Sequence, residues 1–376
     1  MLLELGLSEV SSALLAGVVS FQPMLTFITS SINIDAFLLA AFGLLLFGAV
    51  RFLGRGADII GVSCLLAGTV ISLFSKPPGY FSLGLIIFLL VLFFISRAKG
   101  YLKMEFWQKT VLGASFFIFI VAFSWLFYHL YQAIKVRYFP GSQSLSLLPA
   151  YLRHQFDYNV FYAHSTFYWG NFGWLDTPFS QPMIWVIWAI LALGITGIIY
   201  FFGKNIYRWK KLSKKEKVFN YQVLFLALIV LGFNFMIHAV NFQQVNPNNV
   251  ADESGAIAIQ GRYFFPVIGV KFFLIFWGLT ALLSQIYKKI KLETGAFILF
   301  LGGVILNFIG LFVYLVPRFY LNDGTTYFSQ ELLDRMSQYK PIMLKEWVIV
   351  FVLIVFLALI AKFLYLAYCR IRSNSK

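Results

Sequence analysis

IDAFLLAAFGLLLFGAVRFLGRGADIIGVSCLLAGTVISLFSKPPGY, residues 34–80, holds two apolar runs joined by a short turn that carries Arg51 and Arg55. Each run, about 36–53 and 58–74, is long enough to cross most of the roughly 30 Å hydrocarbon layer of a bilayer as a helix. A basic pair in the connection is the mark of a loop held on the inner side of a membrane.

Working outward, the same kind of window recurs along the chain at about 9–30, 80–96, 110–131, 182–203, 218–239, 263–284, 295–316 and 347–369. Composition agrees. Of 376 residues, 60% are hydrophobic and 19% aromatic but only 12% charged, against the roughly 25% charge of a typical soluble protein. We therefore expect an all-α, polytopic integral membrane protein of about ten transmembrane helices, a single domain over residues 1–376. Pro23 near the middle of the first span predicts a kink.

Loop charge sets the orientation. Arg51 and Arg55; Arg97, Lys99, Lys103 and Lys109; the run Lys204 to Lys217; Lys288, Lys289 and Lys291; and Arg370, Arg372 and Lys376 all fall on one face if there are ten crossings. That face is expected to be cytoplasmic, with both termini there. The longer loops, about 132–181, 240–262 and 317–346, then lie outside. Two short outer helices are expected, over Ala150 to Ser165 among headgroups and near Ser329 to Tyr339, where Ser329 suits an N-cap and Glu331 the first turn.

Several classes are set aside. The net charge of +15 follows the topology of the loops, so nucleic acid is not an expected partner; membrane lipids are. Cys64 lies in a span and Cys369 at the end of the last, which argues against a stabilising disulfide. Four scattered histidines give no metal-site spacing, so no metal is expected, and no glycine-rich phosphate loop implies a nucleotide or other cofactor. The acidic start, Met1 to Glu9, runs straight into a span and reads as membrane insertion rather than a cleaved signal.

Polar groups at membrane depth are costly, so clusters at the outer span ends are the natural sites. Four are candidates. Asn33 and Asp35 lie in the turn between the first two spans, where Asp35 reads as a carboxylate able to take a proton, or as a turn and capping residue. Lys76 in SKPPGY (75–80) reads as a point charge for a lipid phosphate or as a snorkelling interfacial lysine. Asp176 in FGWLDTP (172–178) reads as a site carboxylate or an Asx-turn. In QGRYFFP (260–266), with Gln260 and Tyr263 beside it, Arg262 offers a planar fork matched to phosphate oxygens or an interfacial anchor. Together they suggest a wet outer cavity for an amphiphile whose phosphate sits at headgroup level. Lys271, within a span, is the best candidate for a charge lining a transport path.

QPMLTFITSSINIDAF (22–37), SKPPGY, FGWLDTP and QGRYFFP, in that order, resemble a bacterial family of predicted membrane proteins, the domain of unknown function 2142 family. That family resembles the C-type glycosyltransferase superfamily, whose multi-spanning members take sugars from polyprenyl-phosphate carriers on the outer face. The resemblance implies a multi-pass bacterial cell-membrane protein acting on polyprenyl-phosphate-linked sugars, with a polysaccharide or other glycan acceptor, in cell-envelope polysaccharide assembly. It implies carrier-phosphate contacts at Arg262 and Lys76 and outer-cavity carboxylates at Asp35 and Asp176. Family members typically begin with further helices and an acidic outer loop, and here Met1 opens almost directly onto the QPMLTF span; a shortened member, a truncated reading frame or a protein that relies on other parts is expected. Two other readings stand beside the enzyme: a transporter or flippase for a lipid-linked saccharide, and a non-catalytic subunit of an envelope-assembly complex.

Overall fold

The computed structural model describes residues 1–29, 34–102, 157–172, 177–245, 261–286, 292–321, 329–338, 345 and 347–373. The expected span at 110–131 lies outside them, as do Asn33, Asp176, Gln260 and the basic residues 103, 109, 288, 289, 291 and 376.

The described chain is all-α apart from one pair of two-residue strands. Its helices are α1 (Glu9–Ser20), α2 (Pro23–Thr29), α3 (Ile34–Arg55), α4 (Ile59–Ser75), α5 (Phe81–Leu102), α6 (Tyr158–Trp169), α7 (Gln181–Tyr207), α8 (Lys214–Val245), α9 (Ile268–Ile286), α10 (Leu292–Ile309), α11 (Val316–Tyr320), α12 (Gln330–Ser337) and α13 (Trp347–Ser373). Strands β1 (Asn171–Phe172) and β2 (Thr177–Pro178) pair antiparallel after α6. Among the described residues six helical segments are long and apolar enough to cross a membrane: 34–55, 181–207, 214–238, 261–285, 292–320 and 347–373. Shorter apolar helices cover 9–20, 59–75 and 77–93.

Their outward faces decide the solvent. Trp185, Val186, Leu193, Ile195 and Ile199 on α7 and Phe351, Ile354 and Leu359 on α13 are exposed. Apolar surface on this scale is untenable in water and ordinary against lipid. This is a membrane protein.

Since lipid is as apolar as leucine, the helices are held by close packing rather than by burial from water. On α3 and α4, a Cβ at Gly48 would reach the main chain of Gly61 and Leu65, and one at Gly68 that of Ala41 and Leu45. On α7 and α9, Gly194, Gly197 and Gly278 bring two main chains into direct contact. Phe233 of α8 packs edge-on against Phe42 of α3 and Phe81 of α5, with ring centroids 5.5 and 5.2 Å away.

The turn between α3 and α4 is fixed by charge. Gly56 adopts φ +93°, a conformation open to glycine, and the Asp58 carboxylate accepts from Gly61 N at 2.9 Å as the N-cap of α4. Arg51 pairs with Asp58 at 2.5 Å and with Glu4 at 2.7 Å, and Arg55 with Glu4 at 2.9 Å.

Where a kink was expected at Pro23, the helix breaks. Gln22, 1% exposed, accepts from Leu25 N at 2.5 Å and donates to the Tyr168 carbonyl at 2.6 Å. It caps α2, with Pro23 at the first helical position, where the missing N–H costs nothing. The polar start of the QPMLTF motif is thus a joint between α2 and α6.

Short helices lie within the described parts of both expected stretches. The first is Tyr158–Trp169, capped by Asp157, whose carboxylate accepts from Asn159 N and Val160 N; residues 150–156 of the expected helix lie outside the described residues. The second is α12, where Ser329 accepts from Leu332 N at 3.2 Å and Glu331 pairs with Arg335 one turn on at 2.5 Å.

Candidate functional site

Asp35 stands in the first turn of α3, about 24 Å along the helix axis from Arg51. Lys76 follows the last residue of α4 in an extended conformation, φ −149° and ψ 160°. Pro77 and Pro78 forbid continuation of that helix, and the chain turns through a 3₁₀ segment, Pro77–Tyr80. Gly79 lies against the Ser72 carbonyl, where a Cβ would collide with main chain. The antiparallel hairpin of α3 and α4 therefore returns Lys76 to Asp35.

The third member arrives from much later in the chain. Gly261–Val267 forms a 3₁₀ segment leading into α9, with Pro266 inside it. Gly261 is pressed against the main chain of Phe167 and Tyr168, leaving no room for a side chain. Phe264, Phe265, Pro266 and Val267 are buried, and they anchor the segment so that Arg262 and Tyr263 face α3.

Lys76 Nζ is 2.5 Å from Asp35 Oδ1, and Arg262 Nε is 3.6 Å from Asp35 Oδ2. Side-chain exposure rises from 9% at Asp35 to 19% at Lys76 and 32% at Arg262, so the carboxylate is the floor and the cations are the rim. The Tyr263 ring lies 5.4 Å from Lys76 Nζ and 5.9 Å from the Arg262 guanidinium carbon. Arg262 Nε is buried without a hydrogen-bond partner among the described residues. Among the described residues one carboxylate faces two cations, which leaves a unit of positive charge in a half-dry recess, and the Arg262 donor suits an incoming oxyanion.

Four residues singled out from sequence are thus brought together: Asp35, Lys76, Arg262 and Tyr263. Of the FGWLDTP stretch, Phe172, Thr177 and Pro178 are described. They form the β1–β2 pair, braced by Thr177 N donating to Asn171 Oδ1 at 3.1 Å.

The family model of the predicted membrane proteins called DUF2142 matches residues 7–270. The chain belongs to the DUF2142 family. The matched region takes in all four sequence motifs and the whole Asp35–Lys76–Arg262 site. No curated protein and no solved structure matches the chain.

Beside this site the DUF2142 protein has a second group that sequence reading did not assemble. Lys271 Nζ lies 4.3 Å from the Tyr168 ring centre and 5.1 Å from that of Phe264. The imidazoles of His164 and His238 meet edge to face at 4.6 Å, with Phe264 5.8 and 5.1 Å from them. His164, His238 and Lys271 come from three different helices, and no local spacing links them. The one sequence signal was Lys271 itself, a charge well inside a span.

Proposed function

We propose that this protein binds the phosphate of an amphiphilic carrier at Asp35, Lys76 and Arg262 and acts as a glycosyltransferase-like enzyme on polyprenyl-phosphate-linked sugars in cell-envelope polysaccharide assembly. The observation that carries it is the convergence of two cations from distant motifs on one carboxylate, with positive charge left over. The topology that goes with it is ten crossings of the bacterial cell membrane, both termini in the cytoplasm and the site at the outer face, with α6 and α12 at the interface. Arg262 supplies the planar donor fork for phosphate oxygens and Lys76 a point charge. Asp35 holds both in place.

In the transfer, an acceptor hydroxyl oxygen bonds to the sugar's anomeric carbon as that carbon's bond to the phosphate oxygen breaks. The phosphate leaves with the electron pair, its charge stabilised by Arg262 and Lys76. The hydroxyl proton passes to a carboxylate, Asp35 or Asp176. Purified protein supplied with a polyprenyl-phosphate sugar and a glycan acceptor is expected to transfer the sugar, with Arg262→Ala lowering the rate at least a hundredfold. An unchanged rate in that variant removes Arg262 from the mechanism.

Lys271, a cation inside a span with aromatic rather than acidic neighbours among the described residues, favours one alternative, passage of a lipid-linked saccharide across the membrane. Flux into proteoliposomes with no covalent change in the substrate would select it.

A further inference from the structure

Lys271 sits on α9, one turn after Val267, and helix side chains lean toward the N-terminal end of their helix. Its ammonium is therefore carried back toward the Arg262 end, where it rests over Tyr168 and Phe264. Aromatic faces replace part of a cation's hydration, but only on the side they cover. Among the described residues no carboxylate pairs with Lys271.

A second observation is independent of that charge. Tyr168 is 7% exposed, and its buried hydroxyl has no hydrogen-bond partner among the described residues. Burial pushes the Tyr168 phenol far above its ordinary range, so it keeps its proton and is a donor. Buried donors are nearly always satisfied. Tyr168 is also fixed in place, because its carbonyl accepts from Gln22 and its main chain lies against Gly261.

We infer that Lys271 and Tyr168, flanked by His164 and His238, form a second anion-binding position that takes the phosphoryl group of a membrane amphiphile, separate from the one at Arg262. An anion meets the ammonium and the phenol donor together; an uncharged acceptor meets only the phenol, and a cation neither. The surroundings favour a group delivered on an apolar chain: Phe264 is near both the histidines and the lysine, and Trp169, next to Tyr168, packs edge-on against Phe272 at 5.7 Å. The inference does not depend on sugar transfer. It requires two phosphate-binding positions in one chain.

Binding of farnesyl phosphate to the full-length protein in detergent, counted by native mass spectrometry, tests it. The wild type is expected to take two per chain, Lys271→Met one, Lys271→Arg two, and the Arg262→Ala/Lys271→Met double variant none. Tyr168→Phe, which keeps the ring and removes the donor, is expected to weaken the second binding three- to tenfold. Farnesol is expected not to displace the ligand held by Lys271. Two phosphates retained on Lys271→Met, or equal competition by farnesol, overturns the inference. Should Lys271→Met fail to yield monodisperse protein, unchanged second binding in Tyr168→Phe overturns it instead. Inorganic phosphate added to Arg262→Ala distinguishes the source: occupancy of the Lys271 position by it at similar concentration assigns a soluble phosphate rather than a lipid. Two phosphates on Arg262→Ala with one on Lys271→Met would sink the reading of the Asp35 site and leave this one standing.

Discussion

Lys76 Nζ rests 2.5 Å from Asp35 Oδ1 across 41 residues of sequence, at the open end of the α3–α4 hairpin. Both groups are largely withdrawn from solvent, so the pair is expected to couple more strongly than a surface ion pair and less than a fully buried one. A double-mutant cycle with Asp35→Asn and Lys76→Met, followed by unfolding in detergent, is expected to give a coupling of about 1–3 kcal/mol. A coupling near zero would make the contact incidental.

Gln22 joins α2 to α6 through two buried hydrogen bonds. Gln22→Met keeps the volume and strands both the Leu25 N–H and the Tyr168 carbonyl. The expected cost is about 1–3 kcal/mol, read as a lowered melting temperature. An unchanged melting temperature would mean the joint carries no stability.

Gly197 and Gly278 hold α7 and α9 at main-chain contact. Gly197→Ala is expected to force the helices apart at about 1–3 kcal/mol. Gly203→Ala on the same helix, where a Cβ meets nothing, is expected to be neutral or slightly stabilising through helix propensity. Equal effects from the two would refute the packing argument.

The hydrogen bond from Arg51 holds the Asp58 carboxyl below its ordinary value of 3.8. A lowered folded-state pKa adds stability that is present in full above the unfolded value and is lost as pH falls through the folded one. Melting temperatures of the wild type and Asp58→Asn should therefore differ at pH 7 and converge as pH drops below about 4. A gap independent of pH would deny the ion pair its part.

Orientation can be read chemically. With Cys64 and Cys369 replaced by serine, a cysteine at Ser329 is expected to react with an impermeant maleimide on intact cells. One at Lys210 is expected to react only after permeabilisation. The reverse pattern would place the Asp35 site on the cytoplasmic side.

The helices were legible because apolar run length alone sets them, and Pro77, Pro78 and Gly79 marked where α4 had to stop. The site was legible for a related reason: Asp35, Lys76 and Arg262 each begin or end an apolar segment, so span order alone brings them to the same end of the bundle. The role of Gln22 as a joint was not legible, because a glutamine beside Pro23 carries no sign of a partner 146 residues away. His164, His238 and Lys271 escaped assembly because their proximity comes from the packing of α6, α8 and α9. No periodicity within one helix records the neighbour across the gap.

The glycine contacts divide the molecule mechanically. α3 is locked to α4, and α7 to α9, in both cases by main chain against main chain, which leaves little slack within either pair. Asp35 and Lys76 belong to the first plate, while Arg262 leads into the second. The 3.6 Å contact from Arg262 to Asp35 thus joins the two helix pairs, whereas the Lys76 contact lies within one of them. A ligand seated in the recess would therefore touch both helix pairs at once, through the arginine of one and the lysine of the other.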